Sequence, residues 1–492
     1  MLGRATEMTE PGPAAIRPLA PLRVLQGLCA LLLVEKLLIF AFAGVFQDEA
    51  YYWLWGQHPA LSYYDHPPLN AWLQGLSAAI FGWNRLALRL PVALALLADI
   101  AILWQLSRLV APGRPEHFWT TLLLFLATPM FFAVTAVALP DHLMVSFVLL
   151  ALLMLFRFER SWPAAPRWTD LYLGAAAIGL AALSKYNGAF VGLGLAVAIL
   201  ILPRLRALLL RPQLYLAALI ALALQAPVIA WNLQQDLASF GFILGGRHAG
   251  LLGGWDGVRG FVIGLVLVMG PFLLLPLARF GFRSTGMDGL ARSIFWLSTL
   301  TIAFLATRTN TLFHWNLVAY LAALPFLALQ LRWRWLGWLH VTYGALFLSL
   351  MLVNYAIQPL TDIDALGDEA TAWAYGWDEA ATAVRAAEAT HPGAFIAAAD
   401  YTTASLLGFA LEDPDVTSLS PRRDQFDYWF APEAAAGHDA ILLGDRWRPL
   451  DDAIIAQFEE VTPLTELPVV RGGQEINRFR LYLGTGFSPA PR

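Results

Sequence analysis

Long stretches of uninterrupted apolar residues dominate the first three quarters of the chain. Leu173–Leu183 and Leu214–Trp231, for example, contain no charged side chain. In a bilayer, backbone N–H and C=O groups must be satisfied within the segment itself, so these stretches predict transmembrane helices. A β-barrel would instead show short segments of alternating polarity. With about 20 residues per span, we predict about eleven spans. They are residues 24–46, 86–106, 118–138, 141–158, 170–184, 188–203, 213–231, 257–278, 293–307, 313–331 and 335–358.

A shorter apolar segment at residues 67–83 has a different character. It follows a polar loop and begins with two prolines, Pro67 and Pro68. We therefore predict a helix that lies at the membrane interface rather than a further span.

The pattern changes again at about Leu360, where the long apolar runs stop and acidic residues and alanine become frequent. Ala370–Thr390 predicts an amphipathic helix. Three short apolar runs bounded by turns predict strands, at Ala394–Ala398, Ala440–Gly444 and Phe479–Leu483. The predicted fold class is thus a polytopic α-helical membrane domain followed by a soluble α/β domain. The two domains are predicted at residues 1–359 and 360–492.

Composition supports this organisation. The chain is 58% hydrophobic and only 14% charged, with a mean hydropathy of +0.58, whereas soluble proteins carry about 25% charged residues. The first apolar run, from about Val24 to Phe46, is too long for the core of a cleaved signal peptide, so we predict that it is retained. Cys29, the only cysteine, lies inside this run, and no intrachain disulfide can form.

Arginine is concentrated in alternate connections between the predicted spans. One set of connections holds Arg4, Arg17, Arg23, Arg108, Arg114, Arg157, Arg160, Arg167, Arg204, Arg206, Arg211, Arg279, Arg283, Arg292, Arg332 and Arg334. The intervening connections and helix ends hold fewer basic residues, namely Arg85, Arg89, Lys185, Arg247, Arg259 and Arg308. Because cytoplasmic loops are enriched in basic residues, this bias predicts a cytoplasmic N-terminus. An odd number of spans then puts the C-terminal domain on the outer side.

Unusual polar residues gather at the predicted outer face. The first external loop, residues 47–85, begins with Asp48 and Glu49 and continues to Asp65 and His66 between many tyrosines and tryptophans. Later outer connections contribute Asp141, His142, Lys185, Tyr186, Asn187, Arg247, His248, His314 and Asn316. Ionisable groups near a membrane are costly unless they pair or function, so the clustering indicates a binding or catalytic site.

These residue types suggest chemistry on an anionic substrate. Lys185 is one of only two lysines, and its ammonium can hold a phosphate oxygen as a point charge. Arg247 offers a bidentate alternative, and Asp48 could take a proton from a hydroxyl. Structural explanations stay open, since the aromatic residues fit an interfacial belt and Asp141 fits a helix N-cap.

Several segments, in order along the chain, resemble one family. DEAYYWLWGQHPALSYYDHPPLNAWL looks like the first external loop of bacterial GT-C-type glycosyltransferases, the group related to protein O-mannosyltransferases and aminoarabinose transferases. The segments LPDHLMVSFVLLAL, GLAALSKYNG, APVIAWNLQQDLASFGF followed by GGRH, and FHWNLVAYLAALP are similar to that group, as are the C-terminal ADYTTASLLGFAL and RRDQFDYWF. The resemblance covers most of the chain, and the first motif is its most specific part.

The resemblance implies an enzyme that uses a polyprenyl-phosphate-linked sugar at the outer face of the bacterial inner membrane. It implies a catalytic role for Asp48 and Asp141 and places Lys185 near the donor phosphate. In the aminoarabinose branch a basic residue precedes the paired prolines, and this chain has His66 at that position. Tyr51 stands where that branch carries an arginine. Both differences weaken the expectation that the transferred sugar is aminoarabinose. The predicted site comprises catalytic Asp48, Glu49 and Asp141, phosphate-binding Lys185, Arg247, His66 and His248, and substrate-pocket Tyr51, Tyr52, Tyr64, Asp65, Tyr186 and His314.

The predicted partners are the lipid-linked donor, the bilayer and an envelope acceptor, which is lipid A or lipopolysaccharide core, another glycolipid or a protein. No nucleic acid is expected, and no nucleotide, because no phosphate-cradling glycine loop is present. A divalent metal is left open, with Asp48, Asp141 and His66 as candidate ligands. The alternative function is a transporter or flippase for a lipid-linked sugar, but polar groups at one face rather than at mid-membrane favour an enzyme.

Overall fold

The computed structural model describes residues 18–245, 254–283, 288–309, 311–360 and 367–489. Helices dominate its first part. They are α1 (Leu22–Phe42), α2 (Gln47–Gln57), α3 (Leu69–Phe81), α4 (Arg85–Val110), α5 (Pro115–Ala127), α6 (Pro129–Val134), α7 (Pro140–Ser161), α8 (Trp168–Ser184), α9 (Ala189–Ile201), α10 (Pro212–Ala223), α11 (Ala226–Gln234), α12 (Ala238–Leu244), α13 (Trp255–Met269), α14 (Leu274–Phe282), α15 (Gly289–Ala306), α16 (Leu317–Gln330) and α17 (Arg334–Ala356). Short 3₁₀ helices lie at Tyr186–Gly188, Pro203–Leu210, Pro271–Leu273 and Phe313–Asn316.

The helices confirm a multi-pass membrane fold. Within the described ranges, six helices are long and apolar enough to cross a bilayer, and nine spans result if each of three bent pairs counts as one. Two predicted spans remain. One coincides with α5 and α6, which are separated at Thr128, and the other coincides with α8, which has 17 residues. The count of eleven therefore stays a prediction.

Two of the predicted spans are sharply bent rather than straight, and a third, residues 188–203, ends at a sharp bend. The bends measure 105° after α9, 48° between α10 and α11, and 92° after α13. After each of these bends the new segment carries a proline at its first or second position. Proline lacks the N–H that would continue the preceding helix but fits the first turn of the next one. The sequence therefore encodes the breaks.

Burial separates central helices from peripheral ones. In α7 and α16 about four fifths of the apolar window is buried, whereas in α1 and α17 only a third is. The outer helices expose large apolar side chains such as Leu37, Leu97 and Leu346. Exposed apolar surface of this extent is stable in contact with lipid rather than water.

The first external loop is largely helical. We predicted the helix that becomes α3 but not α2, which precedes it and carries most of the loop's aromatic residues. The two helices cross closely at Gly56 and Gly75, where a Cβ on Gly56 would lie 2.5 Å from the nitrogen of Gly75. Glycine at both positions lets the backbones approach, and this contact fixes the loop as a compact unit.

The C-terminal region forms the expected α/β domain around one five-stranded sheet. The strands are β1 (Phe395–Ala398), β2 (Thr417–Ser418), β3 (Ala440–Gly444), β4 (Glu460–Arg471) and β5 (Gln474–Thr485), in the order β2-β1-β3-β5-β4. The helices are α18 (Glu369–Ala372), α19 (Trp377–Thr390), α20 (Tyr401–Leu411) and α21 (Asp452–Ile455), with a 3₁₀ helix at Gln425–Tyr428. Strands β1, β3 and β5 confirm the prediction, whereas β2 and β4 were missed. Strand β4 pairs with β5 across Gly472 and Gly473, which both have positive φ.

The C-terminal domain packs directly on the first external loop. Trp83 donates its indole N–H to the carbonyl of Phe409 at 2.9 Å. The backbone N–H of Tyr64 donates to the side-chain oxygen of Gln425 at 2.7 Å. His58 stacks on Trp429 with ring centroids 4.3 Å apart. These contacts join residues more than 300 positions apart, so the domain and the loop form one surface.

Candidate active site

The two adjacent carboxylates at the start of α2 have opposite surroundings. Successive residues of a helix point about 100° apart, so one of the pair turns inward and the other outward. Glu49 is fully buried, whereas Asp48 is half-buried and lines an open cavity. Only Asp48 is therefore placed to meet a substrate.

Glu49 is held in a dense hydrogen-bond network. Its carboxylate accepts two bonds from Arg89, at 2.9 and 2.6 Å, and further bonds from the backbone N–H groups of Ala138 and Phe46. The remaining guanidinium donors of Arg89 reach backbone carbonyls between Ile39 and Gly44. These four hydrogen bonds occupy the carboxylate of Glu49 and fit an architectural role, and its predicted catalytic role stays a prediction.

The cavity beside Asp48 brings together much of the predicted substrate pocket. Its volume is about 210 Å³. We call it the outer cavity, after the side of the membrane on which the sequence predicts this loop to lie. Its lining is Asp48, Tyr51, Tyr52, Asp65, His66, Phe242, Leu312, Tyr401, Arg422 and Asp424. The carboxylates lie among flat aromatic rings, and such surroundings suit a sugar, which presents hydroxyl groups at its edge and C–H groups on its faces.

A hydrogen-bond chain ties the outer cavity to the C-terminal domain. The hydroxyl of Tyr51 donates to Asp65 at 2.7 Å and accepts from the backbone N–H of Gln425 at 2.9 Å. The ring of Tyr51 also lies 5.0 Å from that of Tyr401. Burial, and then the charge of Asp65, raises the pKa of Tyr51 well above its ordinary value. The hydroxyl therefore stays protonated and keeps Asp65 in place.

Asp424 gives the cavity a group that titrates near neutrality. Burial raises the pKa of this carboxyl from 3.8 to about 7, opposed by a hydrogen bond from the backbone N–H of Phe426 and reinforced by the negative charge of Asp65. The same carboxylate caps the 3₁₀ helix that follows it. Protonation of Asp424 therefore changes the net charge of the outer cavity by one unit as the pH passes through about 7.

Asp141 and Lys185 form a second buried ion pair. Asp141 lies in the first turn of α7, Lys185 directly follows α8, and the ammonium donates to Asp141 Oδ2 at 2.6 Å. The two side chains are 5% and 6% exposed. The second carboxylate oxygen of Asp141 accepts no hydrogen bond within the described residues. This pair keeps spare hydrogen-bonding capacity, in contrast to the pair at Glu49.

The other predicted pocket residues lie near the outer cavity or near the Asp141–Lys185 pair. Tyr186 shares a hydrogen bond of 2.8 Å with Ser239. Tyr64 packs against Phe242, which lines the outer cavity, at a ring distance of 4.7 Å. His314 interacts electrostatically with Asp141. The predictions for Arg247 and His248 lie outside the described residues.

Comparison with known proteins agrees with this architecture. Residues 65–231 match the family model described as dolichyl-phosphate-mannose-protein mannosyltransferase. The lipid A galacturonosyltransferase RgtD of Rhizobium johnstonii is 29% identical over 316 residues, which cover 60% of this chain and 63% of that protein. The chain thus matches less than two thirds of the length of this curated relative.

The solved structures extend the likeness to almost the whole chain. ArnT from Cupriavidus metallidurans bound to undecaprenyl phosphate superposes with a TM-score of 0.65 at 15% identity, over 96% of this chain and all of that one. The apo form gives the same TM-score at 16% identity and covers 99% of that chain. This chain has the GT-C fold. The sequence expectation for the fold is thereby confirmed.

The GT-C fold and the matched sequences also bear on the two functional alternatives. The family model and the curated relative are both described as glycosyltransferases. Neither of these two matches is described as a transporter or flippase.

Five of the ten residues that line the outer cavity were missed at the sequence level, and three of them come from the C-terminal domain. Tyr401, Arg422 and Asp424 come from the C-terminal domain and reach a cavity whose other acidic residues lie in the first external loop. A signal was present, because the segments ADYTTASLLGFAL and RRDQFDYWF carried the resemblance. Nothing in their local pattern, however, indicated contact with Asp48 and Asp65, which are more than 330 positions away.

The metal hypothesis does not fit the described residues. Among them, no group of three or more His, Cys, Asp or Glu side chains lies close enough to hold an ion. Of the three candidate ligands, Asp141 already pairs with Lys185, and only Asp48 and His66 share the outer cavity. We therefore derive no catalytic step through a metal.

Proposed function

We propose that this protein transfers a sugar from a polyprenyl-phosphate-linked donor to lipid A or a related envelope lipid. In this proposal it acts at the outer face of the bacterial inner membrane, with its N-terminus in the cytoplasm and its C-terminal domain in the periplasm. The observation that carries the proposal is the half-buried carboxylate of Asp48 in an aromatic-lined cavity of a GT-C fold. The undecaprenyl phosphate bound by ArnT and the lipid A acceptor of RgtD support the two substrate classes.

Asp48 is the proposed general base. A single displacement forms a bond between the acceptor oxygen and the anomeric carbon while the bond from that carbon to the phosphate oxygen breaks. The acceptor proton passes to Asp48, and the electron pair leaves with the polyprenyl phosphate. A positioned base of this kind contributes roughly 10²- to 10⁴-fold to the rate.

Lys185 is the proposed anchor for the donor phosphate. Its ammonium is buried and already oriented by Asp141, so an incoming phosphate meets a positive charge in surroundings of low dielectric. A preorganised cation also stabilises the negative charge that develops on the leaving phosphate. His66 lies in the outer cavity and joins Lys185 in this role, and Arg247 and His248 remain proposed partners on the adjacent loop.

The proposed sugar is a uronic acid. RgtD is described as a galacturonosyltransferase, and the lining of the outer cavity includes the guanidinium of Arg422. Arg422 lies 5.4 Å from the centroid of the Tyr401 ring. Guanidinium groups bind carboxylates through two parallel N–H donors, and Tyr401 supplies a flat surface beside that contact.

The test is transfer by the purified protein in nanodiscs. Polyprenyl-phosphate-linked galacturonic acid and lipid A are supplied, and the product is detected by mass spectrometry. We expect wild-type protein to add one sugar and Asp48→Asn to be at least roughly 100-fold slower. Asp256→Asn is the matched control, because that carboxylate is exposed and pairs with Arg259 away from the outer cavity. Equal rates for Asp48→Asn and wild type would refute the role of Asp48.

A further inference from the structure

A second large cavity lies at the opposite end of the helical bundle from the outer cavity. Helix α7 begins with Asp141 near the candidate active site and has 22 residues, so its far end is about 30 Å away. There, the ends of α4, α7 and α16 and the 3₁₀ helix Pro203–Leu210 enclose a volume of about 780 Å³. We call it the arginine cavity. Its distance from Asp48 excludes it from the proposed transfer reaction.

Positive charge predominates in the arginine cavity. Arg114, Arg160 and Arg204 line it, together with the single carboxylate of Glu159. Glu159 is buried and forms an ion pair with Arg204. Arg160 is oriented by a hydrogen bond to the carbonyl of Leu109 and has further N–H groups to donate. Arg114 and Arg160 therefore provide two guanidinium charges in excess of the acidic charge in this lining.

Apart from the side chain of Gln330, the other walls of the arginine cavity are apolar. Leu109, Phe156, Phe326 and Leu329 contribute to them. Trp162 also lines the cavity, and its indole N–H donates to the carbonyl of Arg204 at 2.8 Å. A small hydrophilic anion would satisfy the arginines but leave these apolar walls in contact with water. A ligand with a phosphate and hydrocarbon chains satisfies both parts.

We propose that the arginine cavity binds the phosphate headgroup of an anionic phospholipid, with the acyl chains against the apolar walls. Arginine matches phosphate oxygens with paired donors, and basic pockets between membrane helices are suited to acidic headgroups. The arginine-rich connections at this end also carry the positive-charge bias that predicts the topology. The cavity gives Arg114 and Arg160 an additional, specific role.

The proposal is tested by native mass spectrometry of the full-length protein released from nanodiscs. One sample contains phosphatidylglycerol and the other phosphatidylcholine, and the number of retained lipids is counted. We expect retention of a phosphatidylglycerol molecule, with phosphatidylcholine lost. The double variant Arg114→Gln, Arg160→Gln should bind phosphatidylglycerol about 30-fold more weakly, since each arginine near a membrane surface contributes modestly.

Arg206→Gln is the matched control. It lies on the same 3₁₀ helix as Arg204, is exposed, and does not line the arginine cavity. Unchanged retention by the double variant, or equal retention of phosphatidylcholine, would overturn the proposal. A third sample contains inorganic phosphate in excess over the phospholipid. Full displacement of phosphatidylglycerol by phosphate would assign the cavity to free anions and would also overturn it.

Discussion

The protein contains two buried ion pairs near the candidate active site that differ in how completely they are satisfied. Glu49 and Arg89 form hydrogen bonds to one another and to six backbone groups between Ile39 and Ala138. Asp141 and Lys185 share one hydrogen bond of 2.6 Å, and Asp141 Oδ1 accepts none within the described part of the chain. Burial alone therefore does not separate a functional pair from a structural one.

The difference lies in unused hydrogen-bonding capacity. A saturated pair recovers the cost of removing its charges from water, and a new ligand could bind only by breaking existing bonds. The pair at Lys185 retains ammonium protons for a phosphate. This difference supports the proposal that Glu49–Arg89 stabilises the first external loop and that Asp141–Lys185 belongs to the donor site.

The largest expected effect concerns the saturated pair. Arg89→Leu removes the side chain that pairs with Glu49 within the described residues and leaves a buried carboxylate without this counter-charge. We expect a loss of about 3–5 kcal/mol in stability, measured as a lower unfolding temperature in detergent. Arg85→Leu is the control, because Arg85 is exposed one turn earlier on α4. Equal unfolding temperatures for the two variants would contradict the architectural assignment.

The stability of the protein should respond differently when both charges of the Asp141–Lys185 pair are removed. The double variant Asp141→Asn, Lys185→Met leaves no unpaired buried charge, so we expect its stability to stay within about 1 kcal/mol of wild type. Sugar transfer should nevertheless fall roughly 100-fold, because the phosphate loses its cation. Unfolding temperature and transfer rate are measured on the same preparation. A stable double variant with wild-type transfer would show that this pair, too, is structural.

The comparison extends to a carboxyl whose charge depends on pH. The folded-state pKa of Asp424, about 7, lies above its ordinary value of 3.8. The folded protein thus holds this proton more tightly, and the stability it confers is full below pH 4 and is lost as pH rises through 7. Between pH 5 and 8 we expect a loss of about 2–3 kcal/mol for this group. Asp424→Asn should reduce the fall in unfolding temperature over this range; an identical pH profile would contradict the raised pKa.

The smallest expected effect tests the selectivity of the outer cavity. Arg422→Gln should raise the KM for a galacturonic acid donor about tenfold, the value of one exposed charge-assisted hydrogen bond. The KM for the corresponding neutral galactose donor should not change. Steady-state transfer assays with both donors give this ratio. An equal increase for both donors would mean that Arg422 does not recognise the carboxylate.

Apolar patterning predicted much of the fold. The boundaries of α1, α4, α7 and α17 lie within a few residues of the predicted spans, because lipid enforces long helices. Helix α2 was missed because its tyrosines, tryptophans and carboxylates show no helical period. Strand β4 was missed because polar residues and two prolines interrupt it. Tertiary contacts stabilise both elements, and local pattern does not record such contacts.

The candidate site was predictable only in part, because local sequence does not record the tertiary contacts that complete it. Asp48 and Asp65 stand in a motif that the sequence displays, and both line the outer cavity. Adjacent Glu49 could not be distinguished from Asp48, since its role depends on Arg89, 40 residues later. Arg422 and Asp424 depend on how a separate domain packs, which is set by long-range contacts rather than by local sequence.

The central claim, that Asp48 serves glycosyl transfer to an envelope lipid, is tested most directly by the mass of lipid A in cells. Lipid A is compared between the parent bacterium, a deletion strain, and the deletion strain supplied with wild-type protein or with Asp48→Asn at equal membrane abundance. The account predicts that the deletion removes the mass of one sugar, that wild-type protein restores it, and that Asp48→Asn does not. Full restoration by Asp48→Asn, or a lipid A mass that the deletion leaves unchanged, would contradict the account.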